Sequence, residues 1–427
     1  MKYFSTNLNT EPVNFKEALF KGLASDGGLF MPENIPYLSK EFFKEKMTYS
    51  ELATEMIYPF IGEEIDKLSL NEICKSAFNF SVPVVNIHSN LSVLELFHGP
   101  TLAFKDFAAR FMARLMQYFM QNKNEERTII VATSGDTGSA VANGFYKLAG
   151  INVIILYPSG RVSKIQEQQL TTLGENIKAV EIEGSFDDCQ KIVKKAFLDY
   201  EIKEKINLSS ANSINIARLL PQTVYYAWAW KYLECPKDVI ISVPSGNFGN
   251  LTGGLFAKRM GLPITKLLAS VNSNDIFPNY LNNGFFQSKE SVSTLSNAMD
   301  VGNPSNFARI QSLYCSEINE IRKDIISTSV SDKLTIKSLL EIKQKYNYLA
   351  DPHTAVGLYG IKKNILKSQM GVVLSTAHHG KFADIIEPII NKKIKLPKQL
   401  REALKLPKDS MKIKNKYNDF KSILLDY

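Results

Sequence analysis

Lys105 stands in HGPTLAFKDFAARF, residues 98–111, directly after Phe104 and two residues before Phe107. Desolvating an ammonium is costly, so an amine among phenylalanines needs a reason. Phe104, Phe107, Ala108, Phe111, Leu115 and Phe119 recur at spacings of three and four, which predicts an amphipathic helix with Lys105 in its first turn. On that pattern alone, the lysine stem lies on apolar surface while its amine reaches water. The chemical alternative is a reactive amine: a low-polarity pocket disfavours the charged form, and the neutral form attacks aldehydes.

Other residues favour the chemical alternative. Ser245-Gly246-Asn247-Phe248-Gly249-Asn250, followed by LTGGLFAKRMG, reads as a strand, a glycine turn and a helix. Glycines let backbone approach a ligand, and the free N–H groups of a helix start suit a phosphate. The same pattern also describes an ordinary tight strand-to-helix turn. Thr133-Ser134-Gly135-Asp136-Thr137-Gly138 offers hydroxyls and backbone donors for a carboxylate or a second phosphate. Asn212, Ser213 and Arg218 share the stretch NSINIAR, where a guanidinium fork matches phosphate oxygens, although a helix start with a surface arginine has the same appearance. Neither GxxxxGK[ST] nor GxGxxG occurs, which disfavours a nucleotide hydrolase and a dinucleotide fold. Two anion seats and one reactive amine suit an aldehyde that carries a phosphate, and pyridoxal 5'-phosphate is such a molecule.

These residues need a scaffold. From about residue 94 to 385, TIIVA, NVIILYPSG, KAVEIEG, DVIISV and VVLSTAHHGKF are apolar runs followed by turns and, for most, by helical patterns. That alternation predicts an α/β fold, a mainly parallel sheet covered on both faces, with ligands beyond the carboxyl ends of its strands. TSGDTG, PSGNFGN and STAHHG then share one edge of the sheet. Residues 1–93 read as a small leading domain, 94–385 as the catalytic α/β region, and 386–427 as a basic C-terminal segment, a solvated helical face or extended tail.

Composition limits the alternatives. The chain has 427 residues, 44% of them hydrophobic, and 51 basic against 43 acidic residues give a net charge of +8. No aromatic-and-basic motif suggests nucleic acid, and no segment has the length to span a bilayer. Cys74, Cys189, Cys235 and Cys315 stand apart, which points to a reducing cytoplasm and gives no zinc or redox pair. The five histidines form no ligand cluster, so no metal is expected.

FHGPTLAFKDF, TSGDTG, NSIN-x-x-R, SVPSGNFGN, LSNAMDVGNPSN and TAH-x-x-KF, with SDGGLFMPE near the start, closely resemble the threonine synthases in order and over nearly the whole chain. The resemblance implies a pyridoxal phosphate-dependent lyase of the tryptophan synthase β-like fold (fold type II), with mainly parallel sheets flanked by helices, two lobes and a small N-terminal domain. It implies the last step of threonine biosynthesis: O-phospho-L-homoserine and water become L-threonine and phosphate by γ-elimination and β-addition of water. Lys105 matches the Schiff-base lysine and proton carrier. Gly246, Asn247, Phe248, Gly249 and Asn250 match the loop that holds the cofactor phosphate, and Thr376 the hydroxyl at the pyridine nitrogen. Thr133, Ser134, Asp136, Thr137, Asn212, Ser213 and Arg218 match substrate-binding positions, the last three as a phosphate clamp. A cytoplasmic monomer or homodimer without nucleic-acid or membrane partners is expected.

Two positions depart from the family pattern. His379 and Gly380 replace a common Pro-Ala, which predicts a looser turn after Thr376, and Asn250 replaces a frequent Asp, which matters little if the loop binds through backbone donors. The competing readings are a dehydratase or cysteine synthase of the same fold, which needs no second phosphate clamp, and a catalytically silent family member.

Overall fold

The computed structural model describes residues 1–121 and 125–426. Two sheets carry the catalytic loops, as the resemblance implies, where the alternation of strands and helices alone suggested one. The first has six strands in the order Ile325–Ser329, Lys266–Val271, Val239–Pro244, Met370–Ser375, Leu91–Glu95 and Val84–His88. All of its neighbours are parallel except the last pair, an antiparallel hairpin. The second sheet has five strands, all parallel: Met411–Lys414, Ile177–Glu183, Ile151–Pro158, Arg127–Ala132 and Leu208–Ser210. VIISVP is buried throughout and RTIIVA almost so, as covering both faces of a parallel sheet demands. The apolar runs identified the strands, but an apolar run does not name its neighbour, and the division into two sheets was therefore invisible from the runs alone. TSGDTG follows a strand of the five-stranded sheet, whereas PSGNFGN and STAHHG follow strands of the six-stranded one. The loops meet across the cleft between the lobes.

The helix Lys105–Met120 forms as its spacing predicts, with Phe107, Phe111 and Leu115 fully buried and Phe119 nearly so. Lys105 is its first residue. The Asp106 carboxylate in the first turn accepts from the Thr101 backbone N–H at 2.9 Å and from its hydroxyl at 2.6 Å, tying down the approach to the helix.

The leading segment contains the antiparallel pair Tyr3–Ser5 and Phe30–Pro32 and the helices Phe15–Lys21, Tyr49–Ile61 and Lys67–Ala77. The chain enters the six-stranded sheet at Val84, ahead of residue 94. Among the described residues, no helix is long and apolar enough to cross a membrane.

The basic C-terminal segment is docked rather than free. Met411–Lys414 is an edge strand paired with Ile177–Glu183, and the helix Tyr417–Leu425 buries Phe420 and Leu424 against Cys189, Ile192 and Val193. Lys408 meets Glu167 at 2.7 Å and Glu181 at 2.6 Å, and Lys421 meets Asp199 and Glu201, each at 2.8 Å. Lys408, Lys412 and Lys421 of the charge run are thus matched by acids of the five-stranded lobe. Removing the fully buried Phe420 ring leaves a cavity under that lobe, so Phe420→Ala is expected to destabilise it by about 3–5 kcal/mol, read as a lowered urea midpoint with unchanged secondary structure before the transition.

Candidate active site

One cavity of about 2010 Å3 opens between the lobes and is lined by Lys105, by Thr133, Ser134, Asp136 and Thr137, by Asn212, Ser213 and Arg218, by Gly246 to Asn250, and by Thr376. Every residue singled out from the sequence therefore faces the same space. Thr376 reaches it because its segment zips onto the one before Lys105: Phe104 N–H donates to Thr376 O at 2.8 Å, Ala103 and Ala377 form a bridge, and His378 N–H donates to Leu102 O at 3.0 Å.

The turn after Thr376 is tightened, not loosened. His379–Phe382 is a short 3-10 helix capped by His378, whose Nδ1 accepts the Gly380 N–H at 2.9 Å. Gly380 is buried, and a Cβ there would meet that nitrogen at 3.0 Å. A histidine that caps and a glycine that leaves it room thus replace the rigidity of a proline.

The loop Ser245–Asn250 is a cradle. Phe248 takes a left-handed conformation, φ +58°, at the start of the helix Gly249–Arg259. At Gly246 a Cβ would sit 2.7 Å from the Met299 Cα, so only glycine lets the chain pass. Asn250 Oδ1 accepts from Tyr225 at 2.6 Å and Tyr226 at 2.8 Å, while its buried Nδ2 has no protein partner. A neutral amide able to accept two phenols while keeping a free donor fits this position, which makes Asn250 more than an indifferent substitute for Asp.

The clamp is tied to the cradle. Asn247 Nδ2 donates to Ser213 Oγ at 2.7 Å, Asn306 Nδ2 donates to Asn247 O at 3.1 Å, and Ser305 N–H donates to Asn247 Oδ1 at 2.5 Å. Asn212 Nδ2 donates to Ala132 O at 2.9 Å, bracing the clamp against the strand that leads into TSGDTG. Arg218 is buried, bonds through Nη1 to Ala211 O, and has an unpartnered Nε. Burial pushes its guanidinium down to about 10, with Asp106 opposing. Among the described residues no carboxylate pairs with this guanidinium, and its unpartnered Nε is a donor suited to an anion from outside.

The TSGDTG residues divide their work. The Thr133 hydroxyl accepts from the N–H groups of Gly135 at 2.9 Å and Gly138 at 2.8 Å, which shapes the turn. Ser134 and Thr137, half-buried, line the cavity. The Asp136 carboxylate is engaged by Gln166 and Lys381, both at 2.8 Å. Burial alone would raise it, but Lys381 and Lys105 hold it well below the usual carboxylate range. At Lys105 burial lowers the amine's pKa, Asp136 raises it, and Arg218 and Lys381 lower it further.

Several residues of this region carried no assigned role in the sequence. Lys381 and Asn306 lie inside the motifs TAH-x-x-KF and LSNAMDVGNPSN, whereas Gln166 and Arg309 had no local signal. Arg309 is fully buried and donates to the carbonyls of Phe30, Ser213 and Ile214 and to Asn306 Oδ1, joining the leading domain to the clamp. His353, on the cavity wall, uses Nδ1 against Asp351 at 2.8 Å and accepts the Ala298 N–H on Nε2 at 3.2 Å, which makes it the neutral Nδ1–H tautomer.

An amine-bearing lysine between a glycine cradle and a second anion seat, in a two-lobed parallel fold, defines a pyridoxal phosphate-dependent enzyme. Residues 87–376 match the family model for pyridoxal-phosphate dependent enzymes, residues 2–78 that for the threonine synthase N terminus, and residues 354–424 that for the threonine synthase C-terminal region. A threonine synthase of Buchnera aphidicola subsp. Schizaphis graminum is 46% identical over the whole of both chains. A crystal structure of threonine synthase from Escherichia coli superposes with a TM-score of 0.95 at 40% identity, covering 100% of each chain. A threonine synthase from Brucella melitensis with pyridoxal phosphate bound superposes with a TM-score of 0.94 at 35% identity, covering 99% of this chain and 98% of that one. The chain belongs to the threonine synthase family and is a pyridoxal phosphate-dependent lyase.

The orphaned Asn250 Nδ2, the crowding at Gly246 and the unpartnered Arg218 Nε fit a cofactor and a substrate that both carry phosphate. Arg218→Lys keeps the charge but loses the fork. It should weaken binding of a phosphorylated substrate by about 1.5–3 kcal/mol, seen as a raised KM, and unchanged kinetics would remove Arg218 from the clamp.

Proposed function

We propose that the chain converts O-phospho-L-homoserine and water to L-threonine and phosphate, with Lys105 as the cofactor's attachment point and proton carrier. Pyridoxal phosphate, when bound, supplies an aldehyde that joins amines and a ring that accepts electrons, which makes the substrate's α- and β-protons removable. In this reading, the backbone donors of Gly246 to Asn250 would hold the cofactor phosphate and the Thr376 hydroxyl would face its ring nitrogen, a neutral partner that would not force a proton onto it. Asn212, Ser213 and Arg218 hold the substrate phosphate, and Ser134 and Thr137 its amino-acid end. Asp136 and Thr133 contribute through the loop they shape, since their side chains have protein partners.

Lys105 is at the first turn of a helix whose start is pinned by Thr101 and Asp106. Its amine therefore moves on its own stem and not with the backbone, as carrying a proton from the α-carbon requires. Phosphate released from the γ-carbon stays beside Arg218 and serves as the base for water addition at the β-carbon.

The observation that carries this reading is Arg218, buried without a carboxylate partner in the cavity that contains Lys105. A dehydratase or cysteine synthase acting on unphosphorylated amino acids has no use for that cation, whose burial is costly. A small-molecule substrate, a cytoplasmic location and a monomeric or homodimeric state complete the proposal.

The test is incubation of the cofactor-loaded protein with O-phospho-L-homoserine, following phosphate and the amino-acid product. Threonine and phosphate are expected in equal amounts. Phosphate with 2-oxobutyrate would mean elimination without delivery of water, and no phosphate would overturn the assignment. Lys105→Ala should abolish turnover; comparable turnover in that variant would end the role of Lys105.

A further inference from the structure

Lys381 has no solvent exposure and no place in the roles above. It stands five residues after Thr376, in the turn whose preceding segment zips onto residues 102–104 beside Lys105. Its ammonium donates to the Thr101 carbonyl at 2.8 Å and meets Asp136 Oδ1 at 2.8 Å, the oxygen that also accepts from Gln166. Thr101 in turn holds Asp106, the neighbour of Lys105. A buried chain therefore runs from Gln166 through Asp136, Lys381 and Thr101 to the helix start that carries the amine.

We propose that Lys381 is a positioning residue for the reaction at Lys105: by occupying the Asp136 carboxylate, it prevents that carboxylate from capturing the Lys105 amine as an ion pair. Gln166 alone leaves Asp136 without a counter-charge, which is costly for a buried anion, so an Asp136 deprived of Lys381 takes the other ammonium that acts on it across the same cavity, Lys105. The charges that face Lys105 are Asp136 from the TSGDTG helix start, Arg218 from the clamp and Lys381 from the turn, with Asp106 beside it on its own helix. Lys381 also faces Asp106 and His378, with His379 next in the turn. Burial pushes His378 down to about 3, so it carries no charge at neutral pH, and burial lowers His379 as well. With Lys381 in place, Asp136 is neutralised from behind and Lys105 sits beside two cations, Arg218 and Lys381, which favours its uncharged form.

The inference rests on Lys105 as the attachment point and is tested on the holoenzyme by visible absorbance against pH, which reports whether the linkage between Lys105 and the cofactor carries a proton. Lys381→Met, which strands the carboxylate, should move the midpoint up by about one unit or more, the size expected of an unscreened opposite charge. Asp136→Asn, which strands the cation, should move it down. The double variant should return toward the parent value, and Lys381→Arg should stay near it. A purely structural staple would lower the melting temperature of these variants without moving the midpoint. Unmoved midpoints in both single variants overturn the proposal, and if Lys381→Met does not fold, an unmoved midpoint in Asp136→Asn does so alone. Absence of any visible cofactor band in the parent would instead defeat the cofactor assignment at Lys105.

Discussion

A buried amine beside a buried carboxylate is the constraint on which the cleft turns. Burial alone disfavours the ammonium of Lys105, but the same burial strengthens its attraction to Asp136. A second lysine from a distant turn lies on Asp136, and the Arg218 guanidinium lines the same cavity. Each group needs a different backbone segment, and each segment needs the lobe that holds it.

The cavity draws its lining from both sheets. The six-stranded sheet supplies the glycine cradle and the Thr376 turn; the five-stranded sheet supplies TSGDTG and the segment leading to Asn212. Asn247, Ser213, Asn306 and Arg309 fasten the two sets of loops together through hydrogen bonds, and Arg309 reaches the leading domain at Phe30. The docked C-terminal strand and helix stiffen the outer side of the five-stranded lobe, away from the chemistry.

What was legible in the sequence is what is local. Lys105 stands out because its phenylalanines obey a helix period, and the glycine loops because turns at strand ends have short-range chemistry. Arg218 and the cradle stood out for that reason, whereas Thr376 came only through the family resemblance; all of them line the one cavity. The partnership of Lys381 with Asp136 was not: each residue is visible in its own motif, but a contact across the cleft has no period and no spacing. The division into two sheets likewise came from the resemblance and not from the strand runs, which do not encode order. The turn at His379 and Gly380 was misjudged because a glycine suggests freedom, whereas the His378 ring uses the room it leaves to cap the backbone.

If Lys105, and not the buried Lys381, bears the cofactor, borohydride reduction of the holoenzyme followed by peptide mass mapping will find one pyridoxyl phosphate group per chain, on the peptide containing Lys105; modification on Lys381, or on neither lysine, would contradict that assignment.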